Sequence, residues 1–201
     1  MPTIYDLKPR FQALLRPIVK RLAARGVTAN QVTFTALILS CVTGLLIAFL
    51  AGWRWPFFLV PLTLFVRMAL NAIDGMLARE HDMQTPLGAI LNELGDVVSD
   101  TALYLPFALI PGIKAGLVVI FVVLSVISEM TGVVAVQIGA QRCYNGPMGK
   151  SDRAFLFGLI GLLLGFGLDI HVFVNIAIAI AGVLLLLTIK NRAQSALKEV
   201  S

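Results

Sequence analysis

The sequence predicts an all-α membrane protein, a polytopic six-helix transmembrane bundle preceded by an N-terminal amphipathic interfacial helix. Three observations predict it. Of 201 residues, 58% are hydrophobic and only 13% are charged, a balance well outside that of soluble domains. Residues 32–53 and 170–189 carry no formally charged side chain, His171 being the ionisable exception in the second stretch. Each stretch supplies the roughly 20 helical residues needed to cross a bilayer core about 30 Å thick. No long hydrophilic segment separates the apolar ones, so a single membrane domain is expected.

The first element is an arm. Between Leu7 and Arg25, apolar positions Phe11, Leu14, Leu15, Ile18, Val19 and Leu22 alternate with Arg10, Arg16, Lys20, Arg21 and Arg25. This is the pattern of a helix lying on an anionic membrane surface or packed against the bundle, and it lacks the compact apolar run and processing site of a secretory signal. Pro17 predicts a bend or a second helical start. Thr28-Ala29-Asn30 then provides helix-start chemistry for the first crossing. Spans are expected over 32–51, 55–78, 87–110, 114–138, 154–169 and 171–189, the short fifth leaving room for a re-entrant segment. The resulting division is an arm over 1–30, a membrane domain over 31–191 and a tail over 192–201.

Basic residues predict the orientation. With six spans, 13 of the 16 Lys and Arg residues fall on one side: Lys8, Arg10, Arg16, Lys20, Arg21, Arg25, Arg79, Arg142, Lys150, Arg153, Lys190, Arg192 and Lys198. That side is expected to be cytoplasmic, with both termini in it and the protein in the inner or cytoplasmic membrane. The same placement accounts for the formal charge of +5 through membrane lipids. Nucleic acid is not an expected partner, because no aromatic stacking series accompanies the basic residues. Trp53 and Trp55 suit an interface anchor. Cys41 and Cys143 are too few and too separated for a disulfide scaffold or a cysteine metal site.

Polar residues inside the second and third spans are the functional signal. Arg67, Asn71, Asp74 and Ala78 lie along one side of a helix, with Gly75 next to Asp74 and Arg79 at the membrane boundary. Gly88, Asn92, Asp96 and Asp100 recur every fourth residue after Pro86, a residue compatible with a helix start. Intramembrane carboxylates are costly unless paired, protonated or metal-bound. The short connection between the two helices brings Asn71 and Asp74 towards Asn92 and Asp96, making one candidate pocket. Arg67 and Glu129 are a candidate pair across the bundle. Lys150 and Arg153, three positions apart, are candidate contacts for a phosphorylated ligand, or ordinary basic flanks.

The stretch from Asn71 to Arg79, followed by eight residues, Gly88, Asn92 and Asp96, resembles the CDP-alcohol phosphatidyltransferase family pattern D-x2-D-G-x2-A-R-x8-G-x3-D-x3-D. Asp74, Gly75, Ala78, Arg79, Gly88 and Asp96 match it, whereas Asn71 and Asn92 replace its first and third aspartates. The amphipathic arm and the segment from Val27 to Thr33 are also similar. The resemblance implies transfer of a phosphatidyl group from a CDP-linked lipid to an alcohol or phosphorylated alcohol, with CMP released. It implies Asp74 as a metal ligand, Gly75, Ala78, Arg79 and Gly88 around the nucleotide, Asp96 as general base and a homodimer. Magnesium or manganese is the expected cofactor for an oxygen-rich site. Asn71, Asn92, Asp96 and Asp100 are further candidate ligands, leaving one metal, a differently assembled site or none. A noncatalytic CDP-lipid-binding or membrane assembly protein, and a small-molecule transporter, remain the alternative readings.

Overall fold

The computed structural model describes residues 4–200, with side chains from Pro9 onward; those of Leu7 and Lys8 lie outside the described residues. The described residues form seven α-helices: α1 (Ile4–Ala24), α2 (Ala29–Phe49), α3 (Leu59–Glu80), α4 (Pro86–Tyr104), α5 (Ala115–Val134), α6 (Lys150–Gly165) and α7 (His171–Val200). Short 3-10 turns precede α3 and follow α4 and α5.

The expected count of six crossings is corrected by this architecture. Among the described residues, four segments are long and apolar enough to span a membrane: Ala29–Phe49, Trp55–Glu80, Ala115–Ile138 and His171–Val200. The expected span over 87–110 contains α4, whose 19 residues include Glu93, Asp96 and Asp100. Its α-helix ends at Tyr104 because Pro106 has no N–H to continue the ladder, and Leu105–Leu109 tightens into a 3-10 turn. The expected span over 154–169 overlaps α6, whose 16 residues rise about 24 Å, short of the core thickness.

Local chemistry sets the helix starts that matter for the site. At α2, Thr28 Oγ1 accepts from the Gln31 N–H at 3.3 Å while the Thr28 N–H donates to Gln31 Oε1 at 3.0 Å, a reciprocal capping box. At α4, Pro86 occupies the first turn and Thr85 Oγ1 accepts from the Gly88 N–H at 2.9 Å.

Helix α2 packs against both α3 and α4, α5 against α7, and α3 against α6. The largest apolar cluster includes Ile47, Val60, Leu103, Phe121 and Leu185. At its centre Phe157 stacks on Tyr104 at 4.2 Å and meets Phe107 edge-on at 5.0 Å. Phe34, Leu45, Phe65, Ile120 and Phe173 stay exposed on the outside, as a lipid-facing surface requires. Helix α1 runs unbroken through Pro9 and Pro17. It buries Leu15 and Val19 against Ala29, Val32, Ile73, Met76 and Leu77, while Leu14 and Ile18 remain exposed. Arg16 fastens it to α3 by donating twice to Glu80, at 2.9 and 3.1 Å.

The crossing of α2 and α4 is closest at Gly44. A Cβ there would sit 2.0 Å from the Ala102 carbonyl oxygen. Gly44→Ala is therefore expected to push the two helices apart and cost about 1–3 kcal/mol. Thermal unfolding in detergent would measure the loss, and an unchanged midpoint would contradict this packing.

Candidate active site

Three helix ends build a cleft of about 1180 Å3: the starts of α2 and α4 and the end of α3. Asn71, Asp74, Gly75, Ala78, Arg79, Gly88 and Asn92 all line it. The four-residue steps on α3 and α4 explain the convergence, because they keep each set on one helical face. Gly75 leaves the space into which Arg79 folds, since a Cβ at Gly75 would lie 3.0 Å from Arg79 Nη2. Gly88 is equally confined: its Cβ would meet Asn30 Oδ1 at 2.6 Å.

Asn30 and Thr33 also line the cleft, although sequence reasoning assigned them only to a helix start and to a family-like segment. Asn30 Nδ2 donates to Thr85 Oγ1 at 3.3 Å, tying the beginnings of α2 and α4 together. Thr33 Oγ1 donates to Asp74 Oδ2 at 2.8 Å, so the buried carboxylate has a fixed orientation. The available signal was the placement of Thr33 one turn after Ala29, whose carbonyl its hydroxyl also approaches at 3.1 Å.

Asp96 lies behind this wall. Its Oδ1 accepts from Asn71 Nδ2 at 3.2 Å and from Arg67 Nη2 at 3.4 Å, and its Oδ2 pairs with Lys150 Nζ. Lys150 opens α6 immediately before Ser151, which reaches the cleft. Asp100, one turn deeper, is buried between Arg67 Nη1 at 2.8 Å and Arg153 Nη2 at 3.1 Å. Arg153 continues to Glu129 at 2.9 Å, and Glu129 also meets Arg142 at 3.4 Å and Arg192 at 3.5 Å. Arg142 closes the network on Glu93 and lies 4.5 Å over the Tyr144 ring.

The candidate Arg67–Glu129 pair is thus replaced by an indirect link through Asp100 and Arg153. Arg153 and Arg192, counted in the sequence among basic flanks, are 1% and 2% exposed and belong to the interior. Five helices share the network, which is how isolated intramembrane charges become tolerable.

The residue set discriminates between metal arrangements. Among the described residues, no group of three or more His, Cys, Asp or Glu side chains is assembled for a metal ion. Asp74 is, among the described residues, the one carboxylate lining the cleft, beside the amides of Asn71 and Asn92. One carboxylate and two amide oxygens suit a single hard divalent ion whose shell is completed by ligand oxygens. They do not supply the charge for a closely spaced pair of such ions.

The sequence pattern of the CDP-alcohol phosphatidyltransferases matches residues 26–189, which include all of the cleft lining except Phe11 and Gln12 of α1. The chain belongs to the CDP-alcohol phosphatidyltransferase family. As a member it is a membrane transferase that moves a phosphatidyl group from a CDP-linked lipid to an alcohol. It is 50% identical over 195 residues to the inner membrane protein YnbA of Escherichia coli, covering 97% of this chain and 96% of YnbA. Archaetidylinositol phosphate synthase of Pyrococcus horikoshii is 31% identical over 106 residues, 51% of this chain and 52% of that enzyme.

The fold is similar to that of Mycobacterium tuberculosis phosphatidylinositol phosphate synthase. A structure of that protein with CDP-DAG bound has a TM-score of 0.74 at 18% identity, covering 90% of this chain and 92% of the other. A second structure, with manganese and citrate, has the same TM-score and identity, covering 90% and 87%.

Proposed function

We propose that the cleft holds the cytidine diphosphate portion of a CDP-diacylglycerol-type lipid and that Asp96 receives the proton of the attacking alcohol. The observation that carries this reading is the position of Asp96 behind a wall of Asn71, Asp74, Gly75, Ala78, Arg79, Gly88 and Asn92. Gly75, Ala78 and Gly88 keep that wall shallow for the nucleotide, and Arg79 offers a guanidinium to its phosphates. The acceptor oxygen forms a bond to the lipid-linked phosphorus. The bond from that phosphorus to the bridging oxygen breaks, CMP leaves with the oxygen, and the hydroxyl proton passes to an Asp96 carboxylate oxygen. Asn71 and Arg67 orient Asp96, and Lys150 holds its second oxygen near the cleft.

Asp74, with Asn71 and Asn92, is the proposed site for one magnesium or manganese ion. When bound, that ion offsets charge on the diphosphate. The two amides stand where the resemblance puts aspartates, so Asn71→Asp combined with Asn92→Asp is expected to strengthen Mn2+ binding at least tenfold. Electron paramagnetic resonance titration of free Mn2+ checks this without recourse to turnover, and an unchanged affinity counts against the assignment.

Both termini are proposed to face the cytoplasm. An even number of crossings puts them on one side, and Arg10, Arg16, Lys20, Arg21 and Arg25 precede the first crossing. The division into an arm over 1–30, a transferase domain over 31–191 and a tail over 192–201 belongs to the same reading, as does a homodimer.

The deciding experiment places the purified protein in anionic bilayers with labelled CDP-diacylglycerol and a panel of alcohols and phosphorylated alcohols, with and without Mg2+ or Mn2+. Production of CMP together with a new lipid is expected. Tight binding of the nucleotide lipid with no product across the panel would leave the chain a binding protein instead.

A further inference from the structure

We infer that α1 supplies the nucleobase subsite of the cleft, with the Phe11 ring against the face of the base and the Gln12 carboxamide on its edge. The inference rests on the reading that the cleft holds the cytidine diphosphate portion of a CDP-lipid. Phe11 and Gln12 both line that cleft, and both precede residue 26, where the family pattern begins.

The arm is placed to present them. Phe11 and Leu15 are four positions apart, as are Gln12 and Arg16, so each pair shares a helical face. Leu15 and Val19 are buried in one apolar cluster with Ile73, Met76 and Leu77, which turns the Phe11 face towards α3. Arg16 donates twice to Glu80, the residue after Arg79, and so keeps the Gln12 face at the end of α3. Phe11 is half-buried: it packs beside the apolar cluster and still lines the cleft.

The cleft changes character along its length. Met68 lies within the membrane-spanning segment Trp55–Glu80, about 15 Å of helix rise before Ala78. Asn71, Asp74, Arg79 and Asn92 occupy the middle, where a diphosphate and its cation find oxygen ligands and a guanidinium. Past the end of α3, the lining passes to Phe11 and Gln12 and to Met83 and Gln84 of the following connection. A CDP-lipid has the same order: acyl chains that must stay in the bilayer, then the diphosphate, then the ribose and base. Its base therefore falls at the arm.

The chemistry of that end suits a base. An aromatic ring and a thioether offer a flat, polarisable surface to a π-face. A carboxamide carries both donor and acceptor, as the edge of cytosine does. The Asn30 amide is committed to Thr85, whereas among the described residues no hydrogen bond occupies the Gln12 or Gln84 carboxamide.

The test uses the full-length protein in anionic bilayers with Mg2+ and measures displacement of labelled CDP-diacylglycerol by CMP and by ribose 5-phosphate, which differ only in the base. In the wild type CMP is expected to compete about tenfold more tightly, the scale of one stacked base. Phe11→Ala should weaken CMP about tenfold and Gln12→Ala about threefold, with ribose 5-phosphate unchanged in both. Leu14→Ala, which truncates an exposed side chain of the same helix, should leave both competitors unchanged.

Equal losses for the two competitors would show that the arm merely props the cleft and would overturn the inference. Unchanged CMP competition in both variants would do the same. If Phe11→Ala does not fold, Gln12→Ala decides alone, because it leaves the apolar cluster intact. A wild type that binds CMP no more tightly than ribose 5-phosphate also overturns the inference, while CMP release in the transfer assay reports separately on the transfer reading. A wild type that does not bind the labelled lipid removes the cleft reading and this inference with it.

Discussion

Asp96→Asn is expected to lower phosphatidyl transfer by about 10²–10⁴-fold, the range associated with losing a positioned general base, while CDP-lipid binding stays within about threefold of wild type. The two halves of this result have separate structural grounds. The substituted amide keeps the size and planar shape of the carboxylate but cannot take up the acceptor's proton. Nucleotide binding is assigned to Gly75, Ala78, Arg79 and Gly88, which line the cleft, whereas Asp96 lies behind it. The fold should survive the change. Arg67 retains Asp100 at 2.8 Å, and the Lys150 side chain is 35% exposed and has water available. The measurement is CMP release at saturating lipid beside equilibrium binding of labelled CDP-diacylglycerol. Transfer within a few fold of wild type would remove Asp96 from the base position, and lost binding would show that it supports the cleft instead.

How much of this site the sequence revealed depends on the range over which each residue acts. Asn71, Asp74, Gly75, Ala78, Arg79, Gly88 and Asn92 were legible because helical periodicity alone puts them on two faces, and a short connection makes those faces meet. Thr33 and Asn30 were less so, since their roles depend on how α2 crosses the ends of α3 and α4. Arg192 was counted only as flanking charge, and Arg153 as flanking charge or a contact for a phosphorylated ligand, whereas both side chains are buried. A positive side chain near a membrane boundary looks the same in sequence whether it points to headgroups or into the bundle, and only Asp100, Glu129 and the Ser128 carbonyl distinguish the two. The span count failed for a related reason. The spans over 87–110 and 154–169 were expected despite the carboxylates of the one and the shortness of the other, and the break at Pro106 was not anticipated.

The largest stability effect is expected at Arg153. Arg153→Met keeps an unbranched chain of similar reach but strands Asp100 and Glu129, each buried in the protein interior. Removing one partner from a buried ion network costs about 3–5 kcal/mol, because the charge left behind loses a counterion that water does not replace. Such a loss is a large part of the 5–15 kcal/mol that typically separates folded from unfolded domains. The penalty is not expected to be total, since Arg67 still faces Asp100 and Arg142 and Arg192 still approach Glu129. Combining Arg153→Met with Asp100→Asn removes one carboxylate along with its partner, while Arg67 keeps Asp96 and Glu129 keeps Arg142 and Arg192, so the double variant should recover part of the loss. Thermal unfolding in one detergent and at one protein concentration compares the three proteins. A single variant as stable as wild type would mean that the network contributes nothing to holding α4, α5 and α6 together. A double variant no better than the single would place the cost in lost packing around Arg153 rather than in uncompensated charge.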